Sequence, residues 1–465
     1  MREWVKTVLL PLLLCGGGVY LGLTIAASPD LGAAFLAGGF AVCICLAFVF
    51  TARDDGKFLL RLTLIALGLR WLVGWVIYSK GLWMSLGPDA ATFDYFGNAI
   101  CEVWRGVLDP RADWFLKHTS VSRSGWGMSY YVAGIYWVVG RNPLAVQLIN
   151  CALGAMLPAV VYHITRMVYP NRRVMRLAAV VTALSPSMIL WSAQGLKEAP
   201  LMLSLGLTML LALRLRHRFG LRDFALLVLS LFCVYALRNY TFFLIFISIS
   251  GGLLLSSKRF TLVRTLQGGL IILLLGLTFA YFQAGKVIEQ PLDWKRVLKM
   301  REGGAKTANS SFGTEKDVDS SETAITYLPV GVVYVLFAPF PWMVRNMTQL
   351  VALPEMVLWW IAFPLLIKGY WFALRRRTRE SFMICLFTIG LTLFYALYQT
   401  NFGTLHRQRA QLLFFFYIFI GIGWDLWRQA KHRPTQITLS RPGYGALVPA
   451  QGAMARCEQS TGNAQ

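Results

Sequence analysis

The sequence predicts an all-α protein that crosses a membrane many times. Hydrophobic residues make up 56% of the 465 residues, charged residues only 14%, and the mean hydropathy is +0.55. Soluble domains carry about a quarter charged residues. Runs of about twenty apolar residues recur along the chain, the length that a helix needs to cross a hydrocarbon core of roughly 30 Å. A transmembrane barrel would instead show short segments of alternating hydrophobicity.

We predict about twelve transmembrane helices from these runs. Their approximate bounds are residues 6–27, 31–51, 58–78, 143–166, 174–191, 197–215, 223–237, 240–257, 264–282, 349–372, 381–399 and 409–427. With Met1 in the cytoplasm, the basic connectors between them also lie inside, as the positive-inside rule requires, and the C-terminus follows them. The net charge of +23 therefore indicates contact with anionic membrane lipids and not with nucleic acid.

Two large loops remain on the outer side, at about residues 79–142 and 283–348. Each contains a short apolar segment, 128–139 in the first and 325–339 in the second. Both segments are short for a span, and both would reverse the charge pattern if they crossed. We expect them to form interfacial or re-entrant helices.

Acidic residues at this outer surface are the first candidates for chemistry. Asp89 and Asp94 follow the span at 58–78, and topology places Glu198 at the outer head of the span at 197–215. Each has a structural alternative: Asp89 could cap the helix that begins near Ala90, Asp94 could be solvated, and Glu198 could pair with a neighbouring cation. Carboxylates beside a bilayer are otherwise costly to bury, so we predict a catalytic role for these three acids.

Basic residues at the same level are the second set of candidates. The predicted outer turn at 401–409 contains His406, Arg407 and Arg409, Arg238 lies between two further spans, and Lys197 precedes Glu198. A single arginine here could simply reach the lipid headgroups. Several converging guanidinium groups favour a lipid-phosphate site, because their forked donors match phosphate oxygens.

The chain contains a series of short motifs: Gly87-Pro88-Asp89, the segment from Gly125-Trp126-Gly127 to Gly140-Arg141-Asn142-Pro143, Ala183-Leu184-Ser185-Pro186, Leu196-Lys197-Glu198, and Asn401-Phe402-Gly403-Thr404 with Arg407 and Arg409. These motifs resemble those of the GT-C membrane glycosyltransferases, and most of all the family 39 type, which includes protein mannosyltransferases and the aminoarabinose transferase of lipid A. Their order and sidedness agree with such enzymes over about residues 58–427.

The resemblance implies a GT-C-like catalytic domain at 58–427, preceded by two extra spans within 1–57 and followed by a disordered cytoplasmic tail at 428–465. It further implies a bacterial inner-membrane enzyme that moves a sugar from a polyprenyl-phosphate carrier to a lipid, glycan or protein acceptor in cell-envelope or polysaccharide assembly. In that case Asp89 deprotonates the acceptor, and Arg407, Arg409 and Arg238 hold the carrier phosphate, with His406 and Lys197 beside them. The second acid that usually follows the first is replaced by Ala90.

No cofactor is predicted. The spacings give no set of metal ligands, and the eight cysteines form no CxxC pair, although some proteins of this type use a divalent cation. Two other functions stay open: a polysaccharide polymerase or ligase acting on lipid-linked oligosaccharides, and a transporter or flippase. A transporter would need charged or broken-helix sites near the membrane midplane, where Arg70 is the main charged residue in this sequence.

Overall fold

A computed structural model describes residues 29–50, 55–111, 115, 125–254, 301, 321–344 and 347–432. The regular elements in these ranges are helical. They are α1 (Pro29–Phe50), α2 (Gly56–Ser79), α3 (Trp83–Leu86), α4 (Asp89–Trp104), α5 (Trp126–Val139), α6 (Pro143–Val168), α7 (Arg172–Leu184), α8 (Pro186–Ser192), α9 (Glu198–His217), α10 (Leu221–Leu237), α11 (Asn239–Leu254), α12 (Ser321–Phe337), a 3₁₀ turn (Pro341–Met343), α13 (Met347–Arg376), α14 (Thr378–Tyr398) and α15 (Phe402–His432).

The bundle is that of a polytopic membrane protein. Six of the described helices are long and apolar enough to cross a membrane, namely α2, α6, α9, α13, α14 and α15. The bent pair α7 and α8 makes a seventh if it is taken as one span, and α1, α11 and α12 contain shorter apolar helices. The predicted spans at 6–27 and 264–282 lie outside the described residues. The total of twelve therefore stays a prediction.

Two ends of the bundle can be defined from the course of the chain. α2, α6, the α7–α8 pair and α9 run alternately up and down, so the starts of α4, α6 and α9 lie at one end, which we call the Asp89 end. The opposite end, the Asp55 end, gathers the start of α2 and the start of α7. There Asp55 accepts hydrogen bonds from Arg172 Nε at 2.8 Å and Arg176 Nη2 at 2.8 Å. These bonds hold the pKa of Asp55 well below its usual range.

The predicted span at 174–191 is not a continuous helix. It breaks after Leu184, and α8 starts at Pro186 with a bend of 52°. Proline cannot donate the backbone hydrogen bond that would continue α7, and its ring disfavours a helical conformation for Ser185 before it. The predicted span thus corresponds to a bent pair of helices that together are long and apolar enough to cross a membrane, and apolar composition alone did not indicate the bend.

Two side chains, the buried Arg70 and the part-buried Glu355, bond the backbone groups that the break leaves open. Arg70 of α2 donates from Nη1 to the carbonyl of Ala183 at 3.1 Å and from Nε to Ser192 Oγ at 2.9 Å. Glu355 of α13 accepts from the backbone N–H of Ser187 at 2.9 Å and from Ser185 Oγ at 2.6 Å. Unpaired backbone groups are costly in a membrane, so these residues stabilise the broken helix.

Helices α13 and α15 touch at two glycines. A Cβ added to Gly369 would lie 1.9 Å from the carbonyl oxygen of Phe419, and one added to Gly423 would lie 1.9 Å from that of Leu365. Small residues allow this close approach of two helix backbones in a membrane, where packing replaces the hydrophobic effect as the driving force. α15 is thereby fixed against α13, and its first turns carry Arg407.

Replacing Arg70 by methionine is expected to lower the thermal stability of the purified protein. The variant keeps the side-chain length but leaves Ala183 O and Ser192 Oγ with fewer partners, and each buried unsatisfied group costs about 1–3 kcal/mol. The thermal unfolding midpoint in detergent measures the effect. Arg61→Met, at an exposed position of the same helix, is the matched control, and an equal midpoint for the two variants would contradict the role of Arg70.

Candidate functional site

Four helix ends meet at the Asp89 end and bring together charged residues predicted from four separate parts of the chain. Asp89 begins α4, Glu198 begins α9, Arg238 follows α10, and Arg407 lies in the first turns of α15. Lys197 directly precedes Glu198. We refer to these five residues as the charged cluster.

Arg407 links the two acids of the cluster. Its Nη2 lies 2.7 Å from Asp89 Oδ2, and its Nε lies 3.1 Å from Glu198 Oε1. Glu198 Oε1 also accepts a hydrogen bond from Arg238 Nη2 at 3.2 Å. The Glu198 side chain is fully buried and that of Arg238 is 2% exposed, whereas that of Asp89 is 47% exposed. The cluster therefore has a buried part, made of Glu198 and two arginines, and an accessible carboxylate, that of Asp89, at its rim.

Three polar atoms in the buried part of the cluster form no hydrogen bond to the described residues. They are Glu198 Oε2, Arg238 Nη1 and Arg407 Nε, of which the last is in ion-pair contact with Glu198 Oε1. Buried polar atoms are nearly always paired, so an orphan of this kind commonly marks a place where water or a ligand completes the site. The geometry indicates a site built to receive a further polar group.

The electrostatics of the cluster favour an anion. Burial by itself raises the pKa of Asp89, but the charge and hydrogen bond of Arg407, with the charges of Lys197 and Arg238, outweigh it, so the pKa lies below its usual range. Burial and then the charge of Arg238 lower the pKa of Lys197 to about 7. With Lys197 protonated, three cations face two carboxylates, which leaves one positive charge for a ligand to neutralise.

The chain positions Lys197 and Glu198 through polar residues of α6. Asn150 donates from Nδ2 to the carbonyls of Gln194 and Leu196 at 2.7 and 2.8 Å. Gln147 donates to Ala193 O at 2.6 Å. Because both amides are buried, they hold the loop between α8 and α9 in one conformation. The sequence analysis did not single them out, although amides in an apolar helix are a recognisable signal.

Gly125 leaves the space that Lys197 needs. Its φ is +86°, a backbone conformation that side chains disfavour, and an added Cβ would lie 2.9 Å from Lys197 Nζ. The lysine also lies near the face of Phe93, at 5.9 Å from the ring centroid. The predicted motif at 125–127 therefore contributes by shape, at the point where α5 begins.

Asp89 does not serve as a helix cap. α4 begins at Asp89 itself, after Pro88, and no side chain caps it. Glu198 does form ion pairs, but its partners are Arg238 and Arg407, which lie far from it in the sequence, and not the adjacent Lys197. Asp94 is held elsewhere: it accepts from Tyr136 Oη at 2.6 Å and pairs with Arg141 Nη2 at 2.6 Å.

His406 and Arg409 do not join the charged cluster. The predicted outer turn at 401–409 is helical from Phe402 onward, so alternate residues project in different directions. Arg409 is buried and donates to the carbonyl of Ala338 at 2.7 Å, beyond the C-terminus of α12. His406 Nε2 lies 3.2 Å from Ser187 Oγ, in the group that includes Glu355. A cation at a helix C-terminus is a common structural arrangement.

The sequence analysis did not predict Glu355 as a site residue, because it lies inside an apolar run with the composition of an ordinary transmembrane helix. It is part-buried, and Ser185, Ser187, His406 and Tyr417 surround it directly or through one hydroxyl. A lone carboxylate within an apolar helix is the signal that could have marked it. No group of three or more metal-ligating His, Cys, Asp or Glu side chains occurs in the described part of the chain.

Replacing Glu198 by glutamine is expected to destabilise the protein strongly, because it leaves Arg238 and Arg407 without their shared buried countercharge. Removing one partner of a buried ion pair costs about 3–5 kcal/mol. Thermal unfolding in detergent checks this against Glu102→Gln, a part-exposed acid of α4. An unfolding midpoint for E198Q as high as that for E102Q would contradict the structural role of Glu198.

No family model matches the chain, and no curated protein is similar to it. Among solved structures, the fold is similar to the crystal structure of the Archaeoglobus fulgidus oligosaccharyltransferase in the apo form, with 14% sequence identity and a TM-score of 0.43. The match covers 82% of this chain and 51% of that structure. The chain thus spans about half the length of the structure it matches.

Proposed function

We propose that the protein is a GT-C type membrane glycosyltransferase that moves a sugar from a polyprenyl-phosphate carrier to an acceptor at the outer face of a bacterial cytoplasmic membrane. The observation that carries the proposal is the ion pair between half-exposed Asp89 and Arg407, backed by Glu198, Arg238 and Lys197. The reaction needs a carboxylate and cations within reach of one another, and the four helix ends bring them together.

The chemistry divides between the two halves of the cluster. The acceptor oxygen forms a bond to the anomeric carbon of the donor sugar, while the bond from that carbon to the phosphate oxygen breaks. Asp89 takes the proton of the acceptor hydroxyl. The leaving phosphate departs with the bonding electron pair, and Arg407 and Lys197 stabilise its growing negative charge.

Accessibility suits Asp89 to the role of base. Its carboxylate is ionised and can accept a proton, while the ion pair with Arg407 lowers its pKa and so makes it a weaker base than an unpaired aspartate. Its side chain is accessible, in contrast to the fully buried Glu198. Glu198 would then orient Arg407 and Arg238 through a shared oxygen, and would act through them and not on the substrate.

Outer-face location is supported by the distribution of basic residues. Arg172 and Arg176 lie at the Asp55 end, with Asp55. The arginine-rich end of α9 lies there as well and meets the start of α14, since Arg216 of α9 contacts the backbone of Arg379 in the first turn of α14. The positive-inside rule assigns such an end to the cytoplasm, which leaves the charged cluster outside.

A transporter is the second candidate, because the break between α7 and α8 is a feature that transporters use to bind cargo. In this chain the freed backbone groups at the break already have side-chain partners, Ala183 O with Arg70 and Ser187 N with Glu355. Arg70, the main intramembrane cation of the sequence, already donates hydrogen bonds to Ala183 O at the break and to Ser192 Oγ. The break therefore fits a structural role better than a cargo site.

Replacing Asp89 by asparagine is expected to lower the transfer rate by about 10²–10⁴, the usual contribution of a positioned general base. Transfer is measured with purified protein, radiolabelled polyprenyl-phosphate sugars and membrane acceptors, and the products distinguish single-sugar addition from a polymer ladder. The unfolding midpoint should change little, because Asp89 is half-exposed. Asp109→Asn, on the same loop, is the control, and wild-type rates for Asp89→Asn would remove Asp89 from the role.

Carrier binding is expected to weaken as the pH rises through about 7, where Lys197 loses its proton. An anionic phosphate favours the protonated amine, so affinity is highest below this pH and falls above it. Lys197→Arg stays charged throughout and should flatten the profile. Binding of a short-chain polyprenyl phosphate from pH 6 to 9 tests this, and an identical slope in wild type and K197R would exclude Lys197 as a phosphate ligand.

A further inference from the structure

A cavity of about 450 Å³ adjoins the charged cluster on the α4 side. It lies between the end of α2, α3, α4, α5, the start of α6 and the loop before α9. Its lining includes Tyr78, Trp83, Asp94, Tyr136, Gln147 and Gly195. The volume is in the range of pockets that bind small molecules.

Two residues that line the cavity are close in sequence to members of the charged cluster. Ala90, which also lines it, follows Asp89 directly, and Gly195 precedes Lys197 by two residues. The residues that line it come from α2 to α6 and from Gly195, whereas the two arginines of the cluster lie beyond α10 and on α15. A group in the cavity would therefore lie beside Ala90, next to Asp89, and would contact helices other than those that carry the two arginines.

Asp94 supplies a fixed hydrogen-bond acceptor in this cavity. Its Oδ1 accepts from Tyr136 Oη at 2.6 Å and its Oδ2 from Arg141 Nη2 at 2.6 Å, while Arg141 Nε lies 3.4 Å from Oδ1. An ionised carboxylate offers about four acceptor positions, so these contacts leave capacity for donors from a ligand. Arg141 balances the charge, and the pair therefore suits neutral hydroxyl groups and does not require a cation.

Aromatic side chains supply the complementary surface. Trp83 and Tyr78 line the cavity together with the Asp94 carboxylate and the Gln147 amide. A pyranose ring has a C–H face, which packs on aromatic rings, and an edge of hydroxyl groups, which donate to carboxylates. A second cavity of about 370 Å³, between α12, α13, α14 and α15, is lined by aliphatic and aromatic side chains with Thr388 and Thr392 and by no charged residue, so it does not offer this combination.

We propose that the cavity beside Asp94 binds a pyranose ring of the acceptor, which makes the acceptor a glycan or a glycolipid. The inference rests on the proposed function and narrows its substrate class. Asp94 then binds acceptor hydroxyls and is not a second catalytic acid. Tyr136 and Arg141 are positioning residues, because they hold the Asp94 carboxylate in place.

The first test measures sugar binding without any donor. Purified full-length protein in nanodiscs is titrated with methyl glycosides of glucose, galactose, mannose and N-acetylglucosamine, and binding is followed by saturation-transfer NMR. We expect at least one glycoside to bind, with affinity about tenfold weaker in Trp83→Ala and Asp94→Asn, as the loss of one or two polar contacts or a ring face predicts. Trp427→Ala, an exposed tryptophan of α15, should bind as the wild type does.

Conservative variants separate binding from folding. Tyr136→Phe removes only the hydroxyl that fixes Asp94 and should weaken the same glycoside, whereas Tyr130→Phe on the same helix should not. Unfolding midpoints within a few degrees of the wild type show that each variant is folded. The proposal is overturned if none of the four glycosides binds to the wild type, or if binding is unchanged in both Trp83→Ala and Tyr136→Phe.

Kinetics distinguish failure of this inference from failure of the proposed function. In the transfer assay, Trp83→Ala should raise the acceptor KM about tenfold and leave the donor KM unchanged. A raised donor KM instead would place the transferred sugar in the cavity and overturn the inference, while the enzyme would still be a transferase. A third outcome is that Trp83→Ala abolishes glycoside binding but the wild-type protein transfers no sugar from any polyprenyl phosphate. That outcome would contradict the proposed function and, with it, this inference.

Discussion

The buried carboxylate of Glu198 is the contact on which the Asp89 end depends. It is fully buried, yet one of its oxygens contacts guanidinium groups from two different helix ends, Arg238 after α10 and Arg407 on α15. Two cations so close together would repel each other without it, and the energy of like charges rises steeply as the local dielectric constant falls. Glu198 therefore permits a concentration of positive charge that the two arginines could not maintain here without a countercharge, and Asp89 completes the balance at the rim.

Charged side chains from neighbouring helices also supply the missing partners at the break between α7 and α8. There Arg70 and Glu355 reach from neighbouring helices and bond the backbone groups that Pro186 leaves open. In both regions a charged side chain of one helix pairs with backbone or cationic groups of another. The loop that follows α8 and leads to Lys197 and Glu198 joins the two regions. The polar residues inside this bundle thus form a connected support for the loop that carries two members of the charged cluster.

The sequence predicts the helical bundle and the proximity of the residues of the charged cluster, because both depend on simple patterns. Apolar runs mark the spans, and the sidedness of the chain predicts that Asp89, Glu198, Arg238 and Arg407 lie at one surface, where the structure brings them into contact. It did not predict which arginine faces which acid. Arg407 and Arg409 are two residues apart on a helix and project about 200° apart around it, so only the start of α15 at Phe402 decides that one joins the cluster and the other bonds Ala338. Glu355 and the break at Pro186 escaped for a related reason: overall hydropathy averages over single polar residues.

The two walls of the charged cluster differ in how firmly the fold holds them. Arg407 stands on α15, which is locked to α13 where Gly369 and Gly423 let the two backbones touch. Asp89 stands on α4, which packs chiefly on its neighbour α5 and forms an appendage to the membrane bundle. A ligand that enters the charged cluster should therefore displace α4 and Asp89 more readily than it displaces Arg407.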